Sequence, residues 1–558
     1  MNRRKFLKHS IRVGAVAAAT QNVSGLFAKS SIKDIPLSSN ALRIPPLFTG
    51  GDLIVAQTTF QINSGINSNV FSVNNTFPAP TIRLKKGDTF SALIKNNLTE
   101  PTVIHWHGIH APAAMDGHPR NAIAAGSTFN VTYPIIQRAG TYFYHSHTDM
   151  NTARQSYMGM TGMFIIEDDE EKALGLPSGE FEIPLLIQDK RFDANGALKD
   201  YAPTNADMIA GWLGETILIN GTPPNAFLNV AQTMYRFRIV NGSNARIYNI
   251  ALSDGKQFTI IGNDGGLLES PAAVTSAMLA PAERLDIIVD FSGYSVGQNI
   301  ILKSLPFVTS DGPGSGSLRQ GAEINLLQFN IDRAGAKGNP IPAALSVITK
   351  FNSADAKGSR GFSLSGHQFI NSQIFEMNRI DNHVLFGELE QWVITNLSES
   401  IHPIHVHGVQ FQIITPTQPS EYGWKDVVRV EAFQTVQLLL RFADYTGIYL
   451  IHCHNLEHED MGMMSNFQVE LAGEVKQEHA GQNEMEIFPN PAADYTFVKF
   501  PTLQSEEALM LIDISGKVIL KNILGAGITD HKLLTDKLPI GSYRIVFGKY
   551  QGNLIVMR

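Results

Sequence analysis

From residue 44 to 168 the chain consists of short apolar or alternating runs divided by Gly, Asn and Pro. Thr58-Thr59-Phe60-Gln61-Ile62 and Thr89-Phe90-Ser91-Ala92-Leu93-Ile94 are examples. Runs of this kind, about 8–12 residues apart and without helical periodicity, predict an antiparallel β-sandwich. The pattern restarts near Phe181, with Tyr235-Arg236-Phe237-Arg238-Ile239-Val240 and Leu285-Asp286-Ile287-Ile288-Val289-Asp290 as clear strands, and again from about 352 to 471. Three sandwiches are therefore expected, at 44–170, 171–345 and 346–472. A Gly/Ser-rich break at 310–321 reads as a flexible surface loop. A polar stretch at 473–486 reads as a linker, and 487–558 as a small fourth β-sandwich. The fold class is all-β.

Composition narrows the possibilities. The 558 residues are 43% hydrophobic and 17% charged, ordinary for soluble globular domains. A net charge of -7 gives no electrostatic case for nucleic acid as the main partner. Beyond the N-terminus no apolar run of about 20 residues could span a membrane. One cysteine excludes an internal disulfide. The opening Met1-Asn2-Arg3-Arg4-Lys5-Phe6-Leu7-Lys8, followed by a mildly apolar stretch, resembles a twin-arginine export signal, placed at 1–28. That route carries folded, often cofactor-bearing proteins.

Ten of the seventeen histidines fall into four groups. These are His105-Trp106-His107, His145-Ser146-His147, His402-Pro403-Ile404-His405-Val406-His407, and His452-Cys453-His454 with His458 and Met463 beyond it. A single His-x-His pair is weak evidence, since zinc sites and satisfied structural histidines both produce one. Four pairs, one around the only cysteine, are not coincidence. On a strand, residues i and i+2 share a face with Cα atoms about 6.5–7 Å apart, which suits two neighbouring metals better than one. Cys453 then points away from His452 and His454, so one tripeptide can touch two centres. Four pairs offer eight imidazoles, enough for three metal ions. The remaining His402, Cys453, His458 and Met463 provide two imidazoles, a thiolate and a weak axial thioether, a set suited to blue copper. Two pairs lie in the first sandwich and two in the third, so the cluster is expected where these meet, held together by the middle one.

These four segments resemble the copper-binding motifs of multicopper oxidases over about residues 44 to 471, with every ligand position filled. The resemblance implies three cupredoxin-like Greek-key domains and four copper ions. It implies type 2 copper on His105 and His405, and type 3 coppers on His107, His145, His454 and on His147, His407, His452. Type 1 copper would take His402, Cys453, His458 and axial Met463. It further implies that Asp116 and Glu459 supply protons, that Cys453 carries electrons, and that electrons come in through the edge of His458 or His402. The fourth segment is similar to bacterial three-domain members such as cuprous oxidases and spore-coat laccases. The expected reaction couples one-electron oxidation of phenols, aromatic amines or metal ions to reduction of O2 to water.

Met150, Met158, Met160, Met163, Met461 and Met464 gather near these motifs and suit Cu(I), which keeps a cuprous or ferrous metallo-oxidase open. Core filling is the plainer account. A non-catalytic copper-binding scaffold would require missing ligands. His110 and His118 fit no ligand position, and His367, His383, His479 and His531 stand alone. The tail, with Pro489-Asn490-Pro491, Gly541-Ser542-Tyr543 and a closing Ile555-Val556-Met557-Arg558, resembles the C-terminal sorting domain of type IX secretion cargo. A monomer is expected, exported to the periplasm, the cell surface or the medium.

Overall fold

The computed structural model describes residues 40–312, 314–471 and, with short interruptions, 485–556. The signal at 1–28 and all but the last two residues of the 473–486 linker lie outside the described residues.

Alternation along the strands builds the cores. Strand Thr89–Asn96 buries Phe90, Ala92, Ile94 and Asn96 and turns the residues between them outward. Eight sheets, paired into four sandwiches, make up the described residues. The first joins Ser68–Val73, Gly51–Phe60, Thr89–Asn96 and Thr128–Pro134 to Ile82–Lys85, Thr161–Glu167, Gly140–Ser146 and Ile104–His107. The second pairs two six-stranded sheets, the third two five-stranded sheets, and the tail a three- and a four-stranded sheet. Each sandwich encloses its own apolar core.

One device recurs in the first three sandwiches. Strands Thr89–Asn96, Met234–Asn241 and Leu389–Asn396 each end in a buried asparagine. Its amide donates to carbonyls across the turn: Asn96 to Ile123, Asn241 to Leu279, Asn396 to Ser400. Its oxygen accepts from the backbone two residues on, at Leu98, Ser243 and Ser398. The turn is thus pinned by a side chain rather than by ladder hydrogen bonds.

The middle sandwich binds the other two through buried charge. Arg284 is fully buried; its Nε donates to Thr141 O of the first sandwich at 3.0 Å, and its guanidinium forks onto Asp426 of the third. Lys425, beside Asp426, reaches Glu283 at 2.8 Å and Asp264 at 3.0 Å in the middle sandwich. Arg236 and Arg238 pair with Asp286 and with Glu171, and Arg238 also reaches Thr141. Charges this deep persist only when paired and hydrogen-bonded.

The described residues of segment 310–321 form a surface loop without helix or strand, and several of its polar groups are hydrogen-bonded. Asp311 accepts from Ile401 N at 3.0 Å, Ser315 Oγ bonds Asp207, Arg246 donates to Leu318 O, and Gln320 accepts from Ile247 N. It runs from the middle sandwich to the backbone just before His402.

Candidate metal centre

Ladder register gathers the histidines. In the first sandwich His105 lies opposite His145, and in the third His405 lies opposite His452. The Asn396 turn sets the approach to His402: it positions Ser398, whose Oγ lies 2.8 Å from His402 Nε2. His454, just past strand Gly447–Cys453, is fixed by its N–H to Pro403 O at 2.6 Å.

Eight imidazoles from the first and third sandwiches meet at one buried place. His105, His107 and His405 bring ligand atoms within 4.8 Å of one another, as do His107, His145 and His454, and His147, His407 and His452. The Nε2 atoms of His105 and His405 stand 3.3 Å apart, as do those of His145 and His454 and of His147 and His452. Two imidazole nitrogens about 2.0–2.1 Å from one ion at a tetrahedral angle would stand about 3.3–3.4 Å apart. His105 and His407 stack at 3.8 Å between ring centroids, His107 and His405 at 3.7 Å.

The other ring nitrogens fix which atom faces inward. Nδ1 of His105 donates to Asp116 O at 2.6 Å, Nδ1 of His405 to Asp426 O at 2.7 Å, and Nδ1 of His145 to Ser146 O at 2.8 Å. His107 is reversed: its Nε2 lies 3.1 Å from Asp426 Oδ1, and its buried Nδ1 has no partner. Nδ1 of His147 and of His454 and Oδ1 of Asp116 are likewise buried without a hydrogen bond. Burial, reinforced by neighbouring imidazoles, holds His105, His107, His147, His405, His407 and His454 far below the usual histidine range and His145 at about 3. Neutral rings with unpartnered nitrogens are the form that binds metal.

A second set lies on the other face of the same strand. Cys453 Sγ is 3.5 Å from His402 Nδ1 and 3.6 Å from His458 Nδ1, and these two nitrogens are 3.3 Å apart. Both Nε2 atoms are held, by Ser398 Oγ and by Ile209 O at 2.9 Å, leaving both Nδ1 atoms for the thiol. Met463 is fully buried, and its backbone brackets the site: Cys453 N donates to Met463 O, and Met463 N to His458 O. Burial pushes the Cys453 thiol up, so a bound cation is what would hold it as thiolate. A buried thiol with two neutral imidazoles fits copper.

Asp116 Oδ2 receives His407 Nδ1–H at 2.7 Å, and burial holds its carboxyl well above the usual range. Gly117 allows this approach: at φ +92° a Cβ there would fall 2.2 Å from Ile104 O and 2.5 Å from His105 Cα. Glu459, on helix Leu456–Asp460, sits 3.1 Å from His452 Nδ1 and 3.4 Å from His147 Nδ1.

Three participants were not legible in the sequence. Asp426 holds both His107 and His405, yet nothing in Trp424-Lys425-Asp426 marks it. Arg284, its partner, lies in a sandwich without any histidine pair. His367, which stands alone in the sequence, packs against His458 at 4.9 Å and His402 at 6.3 Å between ring centroids, with Nε2 on Ser400 Oγ. His402 and His458 are themselves sealed, at 0% and 1% exposure, whereas His367 is only partly buried. His110, at the rim, pairs with Asp444; His118 is buried and ties the first sandwich to Asn466 of the third.

Comparison with known proteins agrees with this arrangement. Residues 54–171, 193–320 and 340–472 each match a family described as multicopper oxidase. Residues 486–556 match the secretion system C-terminal sorting domain. The chain is 31% identical over 484 residues to a laccase of Bacillus subtilis, covering 74% of this chain and 93% of that one. It is also 31% identical to the cell division protein FtsP of Xenorhabdus nematophila, covering 85% of this chain and 99% of that one. The crystal structure of McoA multicopper oxidase from Aquifex aeolicus superposes with a TM-score of 0.71 at 36% identity, over 78% of this chain and all of that one.

Proposed function

The chain belongs to the multicopper oxidases, and on that premise we propose that it oxidises small reducing substrates one electron at a time at Cys453 and reduces O2 to water at the eight-histidine site. It is a copper-binding oxidoreductase with a sorting tail typical of exported, cell-surface or secreted proteins. Four copper ions, held by the residues assigned above, would supply the one-electron steps and the four-electron reduction of O2. The observation that carries this reading is the shared strand end, where Cys453 faces one ligand set and its covalent neighbours His452 and His454 face the other.

The protein's own groups have defined tasks. Cys453 links the two sites through two peptide units, a short path with no gap to cross. His367 offers the sealed pair His402 and His458 a surface toward solvent, where a phenol, an aromatic amine or a metal ion would dock. Asp116 holds a proton on the His407 side, with Oδ1 free to pass it inward, and Glu459 serves the His147 and His452 side. Walls formed by three sandwiches exclude bulk water. FtsP is a relative of a different kind, but no proposed histidine or cysteine ligand is missing here.

The test is O2 uptake by purified, copper-loaded protein with a phenol, an aromatic diamine, Cu(I), Fe(II) or bilirubin, alongside metal analysis. Expected are four coppers per chain, a strong visible band and uptake with at least one phenol or amine. Cys453→Ser should lose the band and the uptake while melting as a folded protein. A Cys453→Ser protein that stays blue would sink the assignment.

A further inference from the structure

Outside the metal centre, a group of unpartnered buried polar atoms lies at a cavity of about 370 Å³ where the first and third sandwiches meet the segment joining the second to the third. Gln137 is 6% exposed and lines this cavity, yet neither its Oε1 nor its Nε2 has a hydrogen-bond partner. Beside it, Arg138 Nη1 is buried and unpartnered, and Nη2 makes only a 3.3 Å contact with Leu267 O. His110 gives Nδ1 to Asp444 at 2.6 Å and leaves Nε2 buried and free. Each such atom has lost its water and gained nothing in return unless a ligand meets it.

The chemistry of the walls selects the occupant. Neither Arg138 nor Arg441 has a carboxylate within ion-pairing distance among the described residues, so neither guanidinium charge is neutralised. Its single carboxylate, Asp444, is taken by His110. Guanidinium and amide N–H groups side by side match the two oxygens of a carboxylate. A dianionic phosphate would meet Gln137 Oε1 and Asp444 with like charge or lone pairs. Phe351 and Trp424, edge-to-face with centroids 5.2 Å apart, form an apolar corner, and Arg441 lies 5.3 Å from the centre of the Phe351 ring. We propose that this cavity binds a small aromatic monocarboxylate, with the carboxylate on Arg138 and Gln137 Nε2 and the ring against Phe351 and Trp424. A ring hydroxyl would meet Gln137 Oε1 or His110 Nε2, so a hydroxybenzoate should bind more tightly than benzoate.

The site does not use the proposed copper ligands, so it can be tested separately from the oxidase reading. Titration calorimetry on the copper-loaded enzyme, fully reduced beforehand and kept without O2, should give one saturable site for benzoate and tighter binding of 3-hydroxybenzoate. Inorganic phosphate and neutral benzamide should bind more weakly. Arg138→Gln should weaken benzoate binding about tenfold, the loss of one charge-assisted hydrogen bond. Gln137→Leu should weaken it similarly yet raise the melting temperature of the ligand-free protein, because it removes an unmet buried amide. No saturable heat with benzoate, equal affinity in the variants, or phosphate binding as tightly as benzoate would each overturn the proposal.

Discussion

At the scale of single residues, what a side chain touches sets what its loss would do. Asp116 touches His407 and not the thiol site, so Asp116→Asn should leave copper content and the visible band intact. O2 reduction should slow by about 10²–10⁴-fold, the usual weight of a positioned proton donor. Unchanged turnover would remove Asp116 from the reaction. His367→Ala acts on the other half. Anaerobic bleaching of the visible band by a phenol should slow several-fold, while reoxidation by O2 keeps its rate; slowing of both would mean general damage. Of the residues named here, the converging histidines were legible because His-x-His on a strand leaves a mark in the sequence. Asp426 and His367 were not, because one buried aspartate or one lone histidine has no pattern until the fold supplies neighbours.

At the scale of elements, alternation foretold the strands well, and it gave the all-β fold class before any contact was known. The composition of loop 310–321 could not show which neighbours it bonds, because Gly and Ser are as useful for hydrogen-bonding a neighbour as for moving freely. The pinned asparagine at the end of three equivalent strands was also hidden, since Asn followed by Asn, Gly or Leu looks like any turn. Strand Glu182–Lys190 makes a prediction of its own. It ends in Lys190, 1% exposed, with Nζ donating to Tyr157 O, and burial pushes it down to about 7 against some opposition from Asp189. The unfolded chain therefore binds a proton that the folded one lacks between about pH 7 and the ordinary lysine value of 10.5. Through that window this group makes stability rise with pH, and its cost is greatest below pH 7. Lys190→Met should accordingly raise the melting temperature most below pH 7, with a gain that fades toward pH 10. A gain growing with pH would contradict the assignment.

At the scale of the whole molecule, the middle sandwich carries no histidine pair, yet Arg284 grips the first sandwich through Thr141 and the third through Asp426. The sorting tail has its own core, in which Leu509, Leu511, Ile545 and Leu554 are fully buried. Removing residues after 484 should leave copper content and turnover within about twofold while changing where the protein accumulates; lost turnover would mean the tail supports the enzyme directly. The partition of ligands has a last consequence. His105 and His405 are 300 positions apart, and each outer sandwich owns only half of the donors. A nascent chain therefore cannot capture the cluster metals until its third sandwich has been made and docked. Metal uptake at the cluster would thus act as an assembly check: a copy truncated within the third sandwich, or with that sandwich undocked, holds at most half of the cluster donors and stays inert toward O2.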